Sequence, residues 1–157
     1  MSVPSNELIE KYAKGGEKIA AAIQGLTLDD LLAFPVPGTW SIQQIVVHVM
    51  DSDLISTDRM KRIIAEDNPT LIGYDETRFS KNLYYNVQPA ADAVAILDLN
   101  RKLFARVLRK LQPETFNRLG THNERGKLTL GRYLQAVVDH LEHHLKFIVE
   151  KRAKLGK

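Results

Sequence analysis

Apolar residues recur along this chain at helical spacing, and no stretch sustains the alternation of a half-buried strand. Four long segments carry the pattern. The first predicts a helix over 5–24, with Leu8, Tyr12, Ile19 and Ile23 on one face and Ile9 and Ala20 beside it. Gly15 and Gly16 interrupt it, at about 1 kcal/mol per glycine. Either the helix bends there or another backbone packs close. Residues 27–34 predict a short turn of helix, and Pro35, Pro37 and Gly38 a loop. The second long helix opens on a capping box, with Ser41 as N-cap and Gln44 at N3. It continues through Ile42, Ile45, Val46 and Val49 to the stop at Asp67-Asn68-Pro69.

Residues 70–88 form the longest irregular stretch, rich in Tyr and Asn (Tyr74, Tyr84, Tyr85, Asn82, Asn86). Loops of that length often carry function. The third helix is predicted from Pro89 to Gln112, its stripe marked by Val94, Leu97, Phe104, Leu108 and Leu111. A polar segment with Gly120 and Gly126 follows. The fourth helix is predicted from an N-cap at Thr129 to about Lys154, with Leu130, Leu134, Val137, Leu141, Leu145 and Ile148 on its apolar side. Four such helices predict an all-α fold, a four-helix bundle forming one domain over 1–157. The first and third connections are long enough for a crossover topology.

Composition narrows the chemistry. Cysteine is absent, which excludes a disulfide framework, a cysteine nucleophile and a cysteine-ligated metal. No apolar run approaches the roughly 20 residues that cross a bilayer, and residues 1–10 lack a signal pattern. A cytoplasmic protein with no membrane partner is expected. The net charge of +3 is a weak lure for nucleic acid. Lys102, Arg106, Arg109 and Lys110 share a side of the third helix, but that is also an ordinary solvated face. No aromatic interleaving or helix-turn-helix pattern accompanies them, so no nucleic-acid partner is expected.

The histidines carry the chemical signal. Three of the five lie within one turn of the last helix: His140, His143 and His144. His140 and His144 are four residues apart and project from one face, the spacing at which two imidazoles chelate a metal ion. His143 points about 80–100° away, either exposed or supporting a ligand. His140 and His144 flank Tyr133 and Val137 at the stripe's edge, which makes Tyr133 a candidate to support a ligand or line a pocket, and His48 lies at the edge of the second helix's stripe. If those helices are neighbours, His48 completes a three-histidine site. Three neutral imidazoles leave a fourth position open for water or substrate. Ser52 and Ser56, beyond His48, are small enough to leave room for a ligand. His122 lies in a glycine-containing loop, with a turn role and a pocket role both open.

At these residues a family resemblance emerges. The run from Trp40 to His48 resembles a signature of the DinB/YfiT-like metalloenzyme family, and His122–Leu130 with His140–His144 is similar to its second signature. The resemblance implies an antiparallel four-helix bundle holding a divalent metal, zinc or nickel above all, through His48, His140 and His144. It also implies chemistry of the thiol S-transferase or hydrolase kind, the former with a low-molecular-weight thiol as co-substrate. Asp51, one turn after His48, is the candidate catalytic carboxylate, placed to orient an imidazole or a metal-bound group; a solvated helix acid is its other reading. The partner expected is a small-molecule substrate. An exposed apolar helix face offers a homodimer contact, with the first helix and the Tyr-rich loop as candidate faces. A non-catalytic metal-binding bundle of the stress or DNA-damage response is the alternative function.

Overall fold

The computed structural model describes residues 6–157. The predicted first helix is two helices, α1 (Asn6–Ala13) and α2 (Gly15–Ile23), which meet at Lys14; Ser5 lies outside the described residues. Both expectations for the glycine pair hold. A Cβ on Gly16 would stand 2.5 Å from the Asp98 Cα, and one on Gly15 would run into the Arg101 guanidinium. The next elements are a short helix α3 (Leu28–Leu32) and the long α4 (Ile42–Ala65). The Ser41 capping box forms as predicted: Ser41 Oγ accepts from the Gln44 amide at 3.2 Å, and Gln44 Oε1 accepts from the Ser41 amide at 2.9 Å.

The region after α4 departs from the expected loop. It contains β1 (Thr70–Leu71), helix α5 (Glu76–Asn82) and a single 3₁₀ turn, Tyr85–Val87. Helix α6 spans Ala90–Leu108, so it ends four residues before Gln112. The polar segment folds into β2 (Leu119–His122) and β3 (Gly126–Thr129), joined by a tight turn with Gly126 at φ 75°. β2 pairs with β1 in parallel and with β3 antiparallel. These strands are too short to show alternation in the sequence. Helix α7 (Leu130–Lys154) follows, capped by Thr129 as predicted.

α1–α2, α4, α6 and α7 make the four-helix bundle. Two apolar clusters fix its directions. One holds Tyr12, Met60, Ile63, Phe104, Leu108 and Leu130; the other holds Ile19, Ile42, Ile45, Ala90, Leu97, Leu141 and Ile148. The first broken helix and α7 therefore run from the first cluster to the second, while α4 and α6 run the opposite way. The bundle is thus up–down–down–up, not antiparallel throughout. α4 packs on α6 and α7, and α1 and α2 pack on the same two helices. Consecutive α2 and α4 are therefore diagonal, as are α6 and α7. The first and third connections cross the bundle ends, and the segment between α4 and α6 climbs back along its length.

Between the apolar clusters lies a buried polar layer. Arg101 Nε donates to Asp53 Oδ1 at 2.7 Å, and Asn100 Nδ2 donates to Asp53 Oδ2 at 2.7 Å. The Arg101 guanidinium also lies over the Tyr12 ring and donates to the carbonyls of Tyr12 and Val137. Burial pushes the Asp53 carboxyl up, against the pull of Arg101 and Asn100. This charge sits in the stripe Leu97–Arg101–Phe104–Leu108, at a position that helical spacing assigns to the core.

Candidate metal centre

α4 and α7 are packed neighbours running in opposite directions, which satisfies the condition for His48 to meet the pair on α7. His48 is fully buried, and His140 and His144 are partly so. Their Nε2 atoms converge: His48 to His140 is 3.2 Å, and His144 to His140 is 3.1 Å. Tetrahedral nitrogens at a zinc–nitrogen distance of 2.0–2.1 Å stand about 3.3 Å apart, so these separations suit three ligands of one ion. Among the described residues this is the one cluster of three or more His, Cys, Asp or Glu with metal-ligand geometry.

Electrostatics favours the same reading. Burial lowers the His48 pKa from 6.5 to about 3, aided by its two imidazole neighbours. His140 and His144 fall to about 4, again chiefly by burial. All three rings are therefore neutral near pH 7. A neutral imidazole nitrogen that accepts has one lone pair, so His140 Nε2 can accept a hydrogen bond from only one neighbour. A cation can take the lone pairs of all three. The Nδ1 atoms of His48 and His144 are buried and make no hydrogen bond among the described residues. Packing holds these rings instead: Trp40 lies 4.9 Å from His48 and Phe147 lies 6.0 Å from His144, between centroids.

Two cavities flank the histidines along α7. Towards its N-terminus a small polar one, about 90 Å³, is lined by Ser52, Ser56, Arg59, Tyr74, Arg125, Tyr133 and His140 among others. Towards its C-terminus a larger, mainly apolar one, about 410 Å³, is lined by Val36, Trp40, Ile45, His144, Phe147 and Lys151 among others.

The other sequence candidates are distributed around this frame. Ser52 and Tyr133 line the polar cavity: Ser52 Oγ pairs with the Tyr74 hydroxyl, and Tyr133 OH accepts from Arg59 Nη1 at 3.0 Å. Asp51 accepts a hydrogen bond from the Tyr85 hydroxyl at 2.6 Å, which ties it to the segment after α5. His143 is exposed and sits edge-on to Phe147 at 4.7 Å and to His144 at 5.5 Å. His122 ends β2, and its Nδ1 accepts from the Glu124 amide at 3.2 Å, a turn role. Tyr84 is exposed, in a left-handed conformation with φ 52°. On the third-helix face, Lys102 pairs with Glu17 and Asp98, and Arg109 with Glu10.

Arg59, Tyr74, Arg125 and Lys151 were not singled out from sequence. Arg59 had a signal: 48, 52, 56 and 59 step along one face of α4 at i, i+4, i+8 and i+11. Tyr74 lay in the Tyr- and Asn-rich stretch noted above, but neither it nor Arg125, in an irregular segment, had a spacing that pointed to the cavity.

The comparisons agree with this architecture. The sequence profile of the DinB superfamily matches residues 12–148. An Oceanobacillus iheyensis protein named "Putative metal-dependent hydrolase" is 30% identical over 111 residues, or 71% of this chain; the chain thus spans 64%, a little under two thirds, of that relative's length. A Bacillus mycoides protein of the same description is 28% identical over 97% of this chain and 90% of its own. The structure of Bacillus subtilis YfiT, described as a probable metal-dependent hydrolase with an unusual four-helix bundle topology, superposes with a TM-score of 0.90. It is 26% identical, covering 96% of this chain and 86% of that one. A mycothiol-dependent maleylpyruvate isomerase shares the fold alone, at 10% identity and a TM-score of 0.69, over 89% of this chain and 58% of that one. No helix among the described residues is long and apolar enough to cross a membrane. By profile, by relatives and by a shared bundle topology, the chain belongs to the DinB superfamily.

Proposed function

We propose that this protein is a metal-dependent hydrolase of small molecules, with His48, His140 and His144 as the ligands of one divalent ion. The observation that carries this is the convergence of three buried, neutral imidazoles at 3.1–3.2 Å. A divalent ion held there supplies a Lewis acid and lowers the pKa of a bound water towards neutrality. The chain's residues do the rest. The three rings leave a fourth position open, and the packing of Trp40 and Phe147 keeps their nitrogens pointed together. Trp40 and Phe147 give the His144 side of the site an apolar wall.

Polar groups on the His140 side suit the binding of a polarised or leaving oxygen. Arg125 makes no ion pair or hydrogen bond among the described residues and faces the polar cavity. The Tyr74, Tyr133 and Ser52 hydroxyls line the same space. Asp51 acts through Tyr85, as a positioning residue that fixes the wall of the site beside α4. Zinc and nickel are the ions proposed, since imidazole suits both. A thiol co-substrate would use the same open position; only the distant shared fold points that way, so hydrolysis is the reading kept.

The test is metal content per chain on untagged protein purified without chelators. About one equivalent of zinc or nickel is expected, with loss in His140→Ala. Full occupancy in His140→Ala would overturn the ligand set. If metal is bound but azide leaves the visible spectrum of the cobalt-substituted protein unchanged, the fourth position is closed. The non-catalytic bundle then replaces the hydrolase.

A further inference from the structure

Lys151 is only 3% exposed, yet it forms no ion pair among the described residues. Of its three N–H donors, one is used, on Thr39 Oγ1. Thr39 in turn donates to the Val36 carbonyl at 2.8 Å. Glu150, the neighbouring acid, is exposed at the cavity's rim and is not within ion-pair distance. A buried ammonium with no ion pair is costly, and desolvation pulls the Lys151 pKa down against the weaker attraction of Glu150. Fold stability alone would be better served by a methionine or leucine at this position.

The surroundings supply a purpose for the charge. Lys151, Thr39, Trp40, Phe147 and His144 line the same cavity of about 410 Å³. That volume falls in the range of small-molecule sites, which are mainly apolar with a few placed polar groups. Lys151 lies seven residues after His144, about 10 Å along α7. The cavity thus has an apolar middle, a buried cation at one end and a proposed metal ligand at the other.

We propose that this cavity binds an organic anion, its apolar body against Trp40 and Phe147 and its charge paired with Lys151 Nζ. With the reaction centre at the three histidines, as proposed above, the substrate class becomes an apolar organic acid. Its reacting group lies one molecule's length from the carboxylate.

Trp40 is the only tryptophan and lines the cavity, so its fluorescence reports occupancy. The probes are 3-phenylpropionate and its neutral amide, titrated into the wild type and Lys151→Met, each with and without EDTA. The acid is expected to bind at least tenfold more tightly than the amide in the wild type. That preference should vanish in Lys151→Met while the affinity for the amide stays. Equal binding of acid and amide by the wild type, or no binding of either at 10 mM, overturns the proposal without any variant. A preference that survives Lys151→Met also overturns it, and if EDTA then abolishes it, the carboxylate sits on the metal. Lys151→Gln serves the same comparison should the methionine variant not fold. A wild type that prefers the acid yet holds no metal sinks the hydrolase reading and leaves the Lys151 site standing.

Discussion

At the scale of single residues, burial sets the behaviour of the histidines. His48, His140 and His144 are kept neutral by desolvation, the protonation state that metal ligation needs. His122 is depressed by the same cause, with Arg59 and Arg125 adding repulsion. A histidine with a folded pKa below its unfolded value of 6.5 binds fewer protons in the native state than in the unfolded one at acidic pH. Its contribution is therefore complete above pH 6.5 and is lost as the pH falls below it. His122→Asn retains an acceptor for the Glu124 amide and removes this titration. Chemical denaturation of the variant at pH 7 and pH 5 should show a smaller acid loss than the wild type; an equal loss would place the titration elsewhere. The i, i+4 pair on α7 was legible in the sequence because helical geometry is local. That Asp51 would meet Tyr85 was not, since 34 residues separate them.

At the scale of elements, caps were read correctly where the signal is chemical. Ser41 with Gln44, and Thr129, form the bonds their sequence announces. Helix ends without such a signal drifted: α6 stops at Leu108, before the Gln112-Pro113 boundary. The three short strands leave no signal in the sequence because two to four residues carry no period, and β1 pairs with a segment some 50 residues away. Gly16 shows how packing decides what spacing leaves open. A methyl group there meets backbone at Asp98, which cannot swing aside as a side-chain tip would. Overpacking costs about 1–3 kcal/mol, against at most about 1 kcal/mol gained in helix propensity. Gly16→Ala should therefore lower the urea midpoint with an unchanged m-value. A raised midpoint would mean that α2 and α6 separate freely.

At the scale of the molecule, the bundle topology makes the site. Because α2–α4 and α6–α7 are diagonal, α4 and α7 become neighbours, and the segment from β1 to the turn at Tyr85 is drawn up beside α4. His48 of α4 then meets the pair on α7, and the Tyr74 hydroxyl from that segment lines the cavity beside His140. The consequence for stability is linkage. An ion bound only by the folded chain at 100 times its dissociation constant adds about 2.7 kcal/mol. For a chain of this size that corresponds to about 5–11 °C in Tm. Chelation should lower the melting temperature of wild type by that order and leave His48→Ala unmoved; a shift of equal size in both would locate the metal outside the three histidines.

By itself the sequence determined the helical class, the caps, the apolar stripes and the pair His140–His144, all properties that repeat within a few residues and follow from a 3.6-residue period. It also suggested His48, through its place at the edge of a stripe and through the signature beginning at Trp40. Only the tertiary structure decided which helices adjoin, and so that His48 reaches the pair. It alone buried Arg101 on Asp53, stretched the polar cavity between Tyr74 and Arg125, and left Lys151 without an ion pair in the cavity that His144 also lines. Those are contacts between residues far apart in the chain. Their geometry depends on how whole helices pack, and no local period encodes it.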